Sequence, residues 1–205
     1  MIAAPRRRDR IWALGKFLPA AAVDFPPGNR RKGGVMGKAL IAVALAAGLW
    51  AMPAAAQKGD PARMVDIAHP EEVVKLLQSE GYKAELKKHE DSGDPYISSA
   101  ANGSPFTIEF YDCGTAKGCT SMQFFSWYKK KSWYDAGLAN RWNAKKRFLR
   151  IVIDKDGDLS TWMDVTTIGK VSYANFADTI DWWSSMTGDL FTFLDEEEKA
   201  AGGKK

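Results

Sequence analysis

Two histidines, two cysteines and one run of closely spaced acids are the residues whose types could do chemistry in this chain. His69 and His89 are candidates for proton transfer, but neither stands in a motif with a nucleophile. Serine elbows, phosphate loops and zinc-protease helices are absent from the sequence. Asp154, Asp156 and Asp158, spaced by Lys155 and Gly157, resemble the opening of a calcium loop. That pattern needs glycine at its sixth position and glutamate at its twelfth, where this chain has Leu159 and Val165. The expected alternative is a hairpin turn with Asp156 and Gly157 at positive φ. Asp112 and Asp164 would form a carboxylate pair only if folding brought them together. The sequence therefore points away from an enzyme, and no metal or cofactor is expected.

Cys113 and Cys119 enclose a five-residue loop with glycine at each end, Gly114 and Gly118. In an oxidising compartment such a loop brings two sulfurs together, so a disulfide is the first reading, with free thiols and metal binding as its rivals. A bridge this short contributes only about 2 kcal/mol in the chain-entropy picture, enough to pin one turn. The other distinctive feature is aromatic density: Phe124, Phe125, Trp127, Tyr128, Trp133, Tyr134 and Trp142 crowd around Lys129, Lys130 and Lys131. Aromatics beside cations can stack on single-stranded nucleic acid. They are equally the composition of a core or of a protein-binding surface, and Phe125, Trp127, Tyr128, Trp133, Tyr134 and Trp142 are the candidate partner-binding residues.

The elements that must position these residues follow from periodicity. Ile67, Val73, Val74, Leu76 and Leu77 recur at helical spacing after His69 and Pro70, with Glu71 and Glu72 in the first turn and Gly81 as the stop. Tyr82 to Glu90 alternates weakly, and residues 91–95 break the chain before a strand from Tyr96 to Ala101. Asn102 and Gly103 are a two-residue hairpin signal. Phe106, Ile108 and Phe110 form the apolar face of the next strand, and the cysteine loop turns it into a partner through Met122 and Phe124. Leu138, Arg141 and Trp142 suggest a helix ending near Lys145. A strand from Arg147 to Asp154 and its partner from Leu159 to Thr167 make a second hairpin. Ser172 caps a long helix striped by Phe176, Ile180, Trp183, Leu190 or Phe191, and Leu194, ending at Asp195. The fold class is α+β: an antiparallel sheet with an N-terminal, a central and a long C-terminal helix packed on it.

Charge separates the front of the chain from the rest. Residues 1–56 carry nine basic side chains and two acidic ones, leaving 20 basic and 23 acidic in the remainder. Lys38 precedes the apolar run Ala39 to Met52, and Pro53 leads into Ala54, Ala55 and Ala56, the three parts of a secretory signal. The fourteen-residue run is shorter than the ~20 residues a spanning helix needs. Residues 36–56 are therefore expected to be a signal peptide cut after Ala56, with 1–35 an upstream extension and either Met1 or Met36 as the start. Residues 57–65 read as a linker, 66–195 as the domain and 196–205 as a charged, disordered tail. The released chain would be mildly acidic, periplasmic or secreted, with no membrane span and no footprint for nucleic acid.

Asp94, Pro95, Tyr96 and Ile97, with Asn102, Gly103, Phe110, Tyr111, Asp112, Cys113, Cys119 and Phe124, resemble the YbjN family of bacterial proteins. Asn140, Trp142 and Asn143 before Arg147, and Asp154 with Asp156, Gly157 and Asp158, look like its later blocks. The likeness spans roughly residues 66–195. It implies a fold like that of type III secretion chaperones and a label of sensory-transduction regulator, which names no reaction, and it carries no catalytic residues. The expectation is an exported, non-enzymatic binding or regulatory protein with a protein or peptide partner. The alternatives are a small-molecule binder or cryptic enzyme with a pocket between the last helix and the sheet, and a structural role in the envelope.

Overall fold

The computed structural model describes residues 60–114 and 117–202. The expected signal peptide, its cut after Ala56 and the choice between Met1 and Met36 lie outside the described residues. Eleven elements follow in order: β1 Met64–Val65, α1 Pro70–Ser79, β2 Ala84–Lys88, β3 Pro95–Ala101, β4 Ser104–Tyr111, β5 Ser121–Tyr128, α2 Ala136–Asn143, β6 Arg150–Ile153, β7 Leu159–Thr166, β8 Val171–Ser172 and α3 Tyr173–Gly202. The architecture is α+β, with a six-stranded antiparallel sheet in the order β2-β3-β4-β5-β7-β6 and a small β1-β8 pair beside it.

The hairpins form where the turn chemistry placed them. Asn102 and Gly103 both take positive φ, 53° and 74°, and Ala101 pairs with Ser104 across them. In the Asp154–Asp158 turn only Gly157 takes positive φ, at 86°, whereas Asp156 was expected to do so too. The Asp154 carboxylate explains the difference: it accepts from both the Asp156 and Asp158 N–H groups at 2.9 Å, closing a longer turn. Asp158 is itself used, accepting from the Lys130 N–H at 2.8 Å.

The second hairpin is not separate from the first sheet. β7 pairs with β5 along its length, from Ser121 opposite Thr166 to Tyr128 opposite Leu159, which leaves β6 at the edge. β6 also starts later than Arg147. Phe148 sits at φ 63° while the Leu149 N–H bonds to the Arg147 carbonyl at 2.8 Å, a γ-turn that no strand can contain.

Along α3, Phe176, Ile180, Trp183, Leu190 and Leu194 are buried as the stripe requires, with Thr187 completing it and Phe191 half-buried beside it. Ser172 accepts from the Asn175 N–H at 3.1 Å, as a cap should. The helix does not end at Asp195 but continues to Gly202. Glu196 to Ala201 are good helix formers, and Glu197 and Glu198 are held by Arg141 and Lys131 from outside the helix. The expected linker is likewise structured where it is described. The Arg63 and Pro61 carbonyls accept from the Tyr173 and Ala174 N–H groups at 2.7 and 3.0 Å, satisfying donors that the start of α3 cannot satisfy internally.

The core is one contiguous cluster between the sheet and its helices. Val73, Leu76 and Leu77 from α1, Leu138 and Trp142 from α2, and the α3 stripe meet Ile97, Phe106, Ile108, Phe110, Met122, Phe124 and Met163. Strand alternation sends these side chains to one face of the sheet. Among the described residues no helix packs on the other face.

Candidate functional site

On that uncovered face the pairing register sets neighbours side by side. One row runs Glu85, Ser98, Thr107, Phe125, Trp162, Arg150 from β2 to β6, and the next runs Lys87, Tyr96, Glu109, Gln123, Asp164. Trp127 stands opposite Ser160 in a third. The Phe125 and Trp162 rings lie 6.2 Å apart, and the Arg150 guanidinium covers the Trp162 ring at 5.2 Å while pairing with Asp164 at 3.1 Å. Gln123 donates to Asp164 and accepts from the Tyr111 hydroxyl at 3.3 Å. All three of Phe125, Trp127 and Trp162 are half-buried, so an aromatic centre is presented rather than sealed.

The rim toward β4 is negative. Burial pushes the Tyr111 hydroxyl up to about 12, and Glu109, Asp164 and Asp94 add to that shift. Glu109 is nearly buried and accepts from His89 Nε2 at 2.7 Å, while the His89 ring stacks on Tyr96 at 4.5 Å. His69 is exposed at the start of α1, 3.9 Å from Asp66. Neither imidazole is bonded to a hydroxyl or thiol among the described residues, and there no group of three or more His, Cys, Asp or Glu side chains is gathered for a metal.

The six aromatic candidates do not form one surface. Phe125 and Trp127 point to the open face, as odd-numbered residues of β5. Tyr128 points the other way, edge-on to Phe191 of α3 at 5.8 Å and bonded to Ser104 at 3.2 Å. Trp133 and Tyr134 pack edge to face at 4.7 Å in the loop before α2, where burial pushes the Tyr134 hydroxyl to about 12. Trp142 is only 1% exposed, donates to the Leu149 carbonyl at 2.9 Å and packs on Phe193, so it is core and presents nothing to a partner. Its spacing from Leu138 on α2 was the available signal. Trp162, which completes the open-face cluster, was missed; its alternation against Thr161 and Met163 marked it as outward-facing once β7 is placed beside β5.

Cys113 and Cys119 are joined by a disulfide. Gly114 and Gly118 exchange backbone hydrogen bonds at 2.9 and 3.1 Å inside the loop, and the Cys119 N–H donates to the Ala68 carbonyl at 2.8 Å. A Cβ on Gly118 would stand 2.5 Å from that carbonyl oxygen, so only glycine allows the loop to dock there. The bridge thus closes the β4–β5 turn, and the Cys119–Ala68 hydrogen bond ties that turn to the segment before α1.

The expected pocket between α3 and the sheet is filled. Phe106, Phe124 and Trp183 occupy it, their rings 5.4 to 6.1 Å apart. Two shallow surface cavities lie elsewhere, one of about 430 Å³ beside His69 and Lys75 and one of about 250 Å³ between α2 and α3.

Residues 69–196 match the YbjN family, described as "Putative bacterial sensory transduction regulator". The chain belongs to the YbjN family. The matched span runs from the start of α1 through most of α3 and includes the whole six-stranded sheet, so in this YbjN protein the open face lies within the family's domain. No curated protein matches the chain. No helix among the described residues is long and apolar enough to cross a membrane.

Proposed function

We propose that this YbjN protein is an exported, non-enzymatic regulatory module that binds a protein or peptide partner on the open face of its sheet. The observation that carries the reading is the asymmetry of that sheet: one face is packed by three helices, and the other holds Phe125, Trp127 and Trp162 half-exposed. Clustered, part-exposed aromatic rings on a domain surface are the composition of an interaction site. The surroundings favour a partner with an apolar anchor for the aromatic centre. The family description supports regulation, and the disulfide and the signal-like leader at residues 36–56 support an oxidising compartment.

A photo-crosslinking residue at position 127, expressed in the full chain in cells, tests the reading. It should trap one discrete protein or peptide adduct in the periplasm or medium, and Trp162→Ser should abolish that adduct. No adduct, or the same adduct from a control probe at exposed Asp195 on α3, contradicts it.

A further inference from the structure

Hydrogen-bond supply on the open face is one-sided. Its central acids are already answered within the sheet: Asp164 takes Gln123 on one carboxylate oxygen and Arg150 on the other, the latter at 3.1 Å, and Glu109 takes His89 at 2.7 Å. The Gln123 amide oxygen takes the Tyr111 hydroxyl at 3.3 Å. The donors stand differently. Among the described residues the indole N–H groups of Trp127 and Trp162 meet no acceptor, although those of Trp142 and Trp182 each find one. Arg150, lying over the Trp162 ring, has more N–H donors than a pair with one carboxylate uses.

A ligand for such a face carries acceptors and compact apolar groups and few donors of its own. Glycans fit badly, because each hydroxyl they bring donates as well as accepts, and the carboxylate and amide acceptors here are engaged. An ordinary extended peptide brings an N–H at every residue. Proline does not: it keeps its carbonyl, has no backbone N–H and adds an apolar ring.

The spacing of the two tryptophans agrees. Trp127 stands opposite Ser160 on β7, and Trp162 is two residues further along that strand, so the two side chains are diagonal neighbours. Such neighbours lie about 7–8 Å apart at their origins. A polyproline helix has three residues per turn and rises about 3.1 Å per residue, which sets residues i and i+3 on one side, about 9 Å apart. Long aromatic side chains take up the small difference. Val152, opposite Ser160 on β6 and 38% exposed, extends the apolar surface at this corner.

We infer that the occupant of the open face is a proline-rich segment in the left-handed polyproline conformation. Prolines three apart sit on Trp127 and Trp162, and carbonyls of the segment accept from the two indole N–H groups. The inference rests on the reading of this face as a peptide-binding surface and specifies its ligand. Such a segment is extended before it binds and loses little chain entropy on docking, so a shallow face is enough to hold it.

Titration of the oxidised full chain with a decaproline peptide, followed by the indole N–H signals in NMR spectra, tests it. Binding should saturate below about 1 mM and shift the Trp127 and Trp162 signals, while a Gly-Ser peptide of the same length shifts neither. Trp127→Phe, which keeps a ring and loses the N–H, should weaken binding several-fold, and Trp127→Ala about tenfold or more, both with unchanged circular dichroism. An alanine-based peptide with prolines at i and i+3 should bind several-fold tighter than its isomer with prolines at i and i+2. If decaproline fails to bind while the photo-crosslink at position 127 still forms, the inference is overturned and the binding face stands. If a cello-oligosaccharide shifts the same signals and decaproline does not, both readings fall. Equal affinity for the two proline isomers overturns the seating on Trp127 and Trp162.

Discussion

On the covered face of the sheet, Phe106 and Phe124 meet Trp183 at 5.5 and 5.4 Å, and all three rings are nearly inaccessible to water. On the open face, Phe125 and Trp162 stand 6.2 Å apart with a guanidinium on one ring and remain half-exposed. The residue types are the same, and Phe124 and Phe125 are chain neighbours on β5. What differs is the partner. The covered rings meet the α3 stripe, and the open rings of Phe125 and Trp162 meet each other and the Arg150 guanidinium across their own sheet. Aromatic content alone therefore says nothing about which face holds the fold together and which is left for binding.

The sharpest way to break this comparison is to truncate a tryptophan on each face. Trp183→Ala should lower the free energy of unfolding by about 3 to 5 kcal/mol, since it removes a fully buried ring and leaves a cavity. Trp127→Ala should cost about 1 kcal/mol or less. Urea unfolding of both variants measures the contrast, and equal losses would mean that the two faces are equally structural.

Reducing the Cys113–Cys119 bridge comes next, at about 2 kcal/mol. The effect should stay local, seen as faster hydrogen exchange at residues 117–120 and Ala68 with the rest of the sheet unchanged. Asn143→Ala should cost about 1 to 2 kcal/mol, because it strips both hydrogen bonds from the Ile151 backbone. By opening the β6 edge it should also promote edge-to-edge association, visible by light scattering. The smallest effect is in the alkaline range. Tyr111 and Tyr134 are both pushed to about 12. The folded state keeps their protons where the unfolded state, ionising near 10, has lost them. Stability conferred by these groups is thus complete below about pH 10 and declines as pH rises toward 12. Tyr111→Phe should flatten that decline, as followed by chemical denaturation across the range.

Elements fixed by local pattern were legible from the sequence: α1 from its apolar spacing and Gly81, the Asn102–Gly103 turn, the β4–β5 pair around the cysteines, and the α3 stripe. Elements fixed by distant partners were not. β7 is drawn between β5 and β6 by a pairing some 40 residues apart in sequence, Ser121 with Thr166 and Tyr128 with Leu159. The β1–β8 clasp joins Met64 to Ser172 and has no signal in either two-residue strand. Phe148 carries no hint of positive φ, because bulky residues avoid it. The site was half legible for the same reason. Alternation along β5 separates Phe125 and Trp127 from Phe124, but Trp162 joins them only through the β5–β7 register, and Trp142 leaves them because its helix turns it inward.

Hydroxyl-radical footprinting of the chain in its native compartment, set against the purified protein, probes the open face without knowing the partner. The account predicts that oxidation of Phe125, Trp127 and Trp162 drops severalfold in the cell while exposed Phe148 reacts equally in both. Unchanged reactivity at those three rings would contradict it.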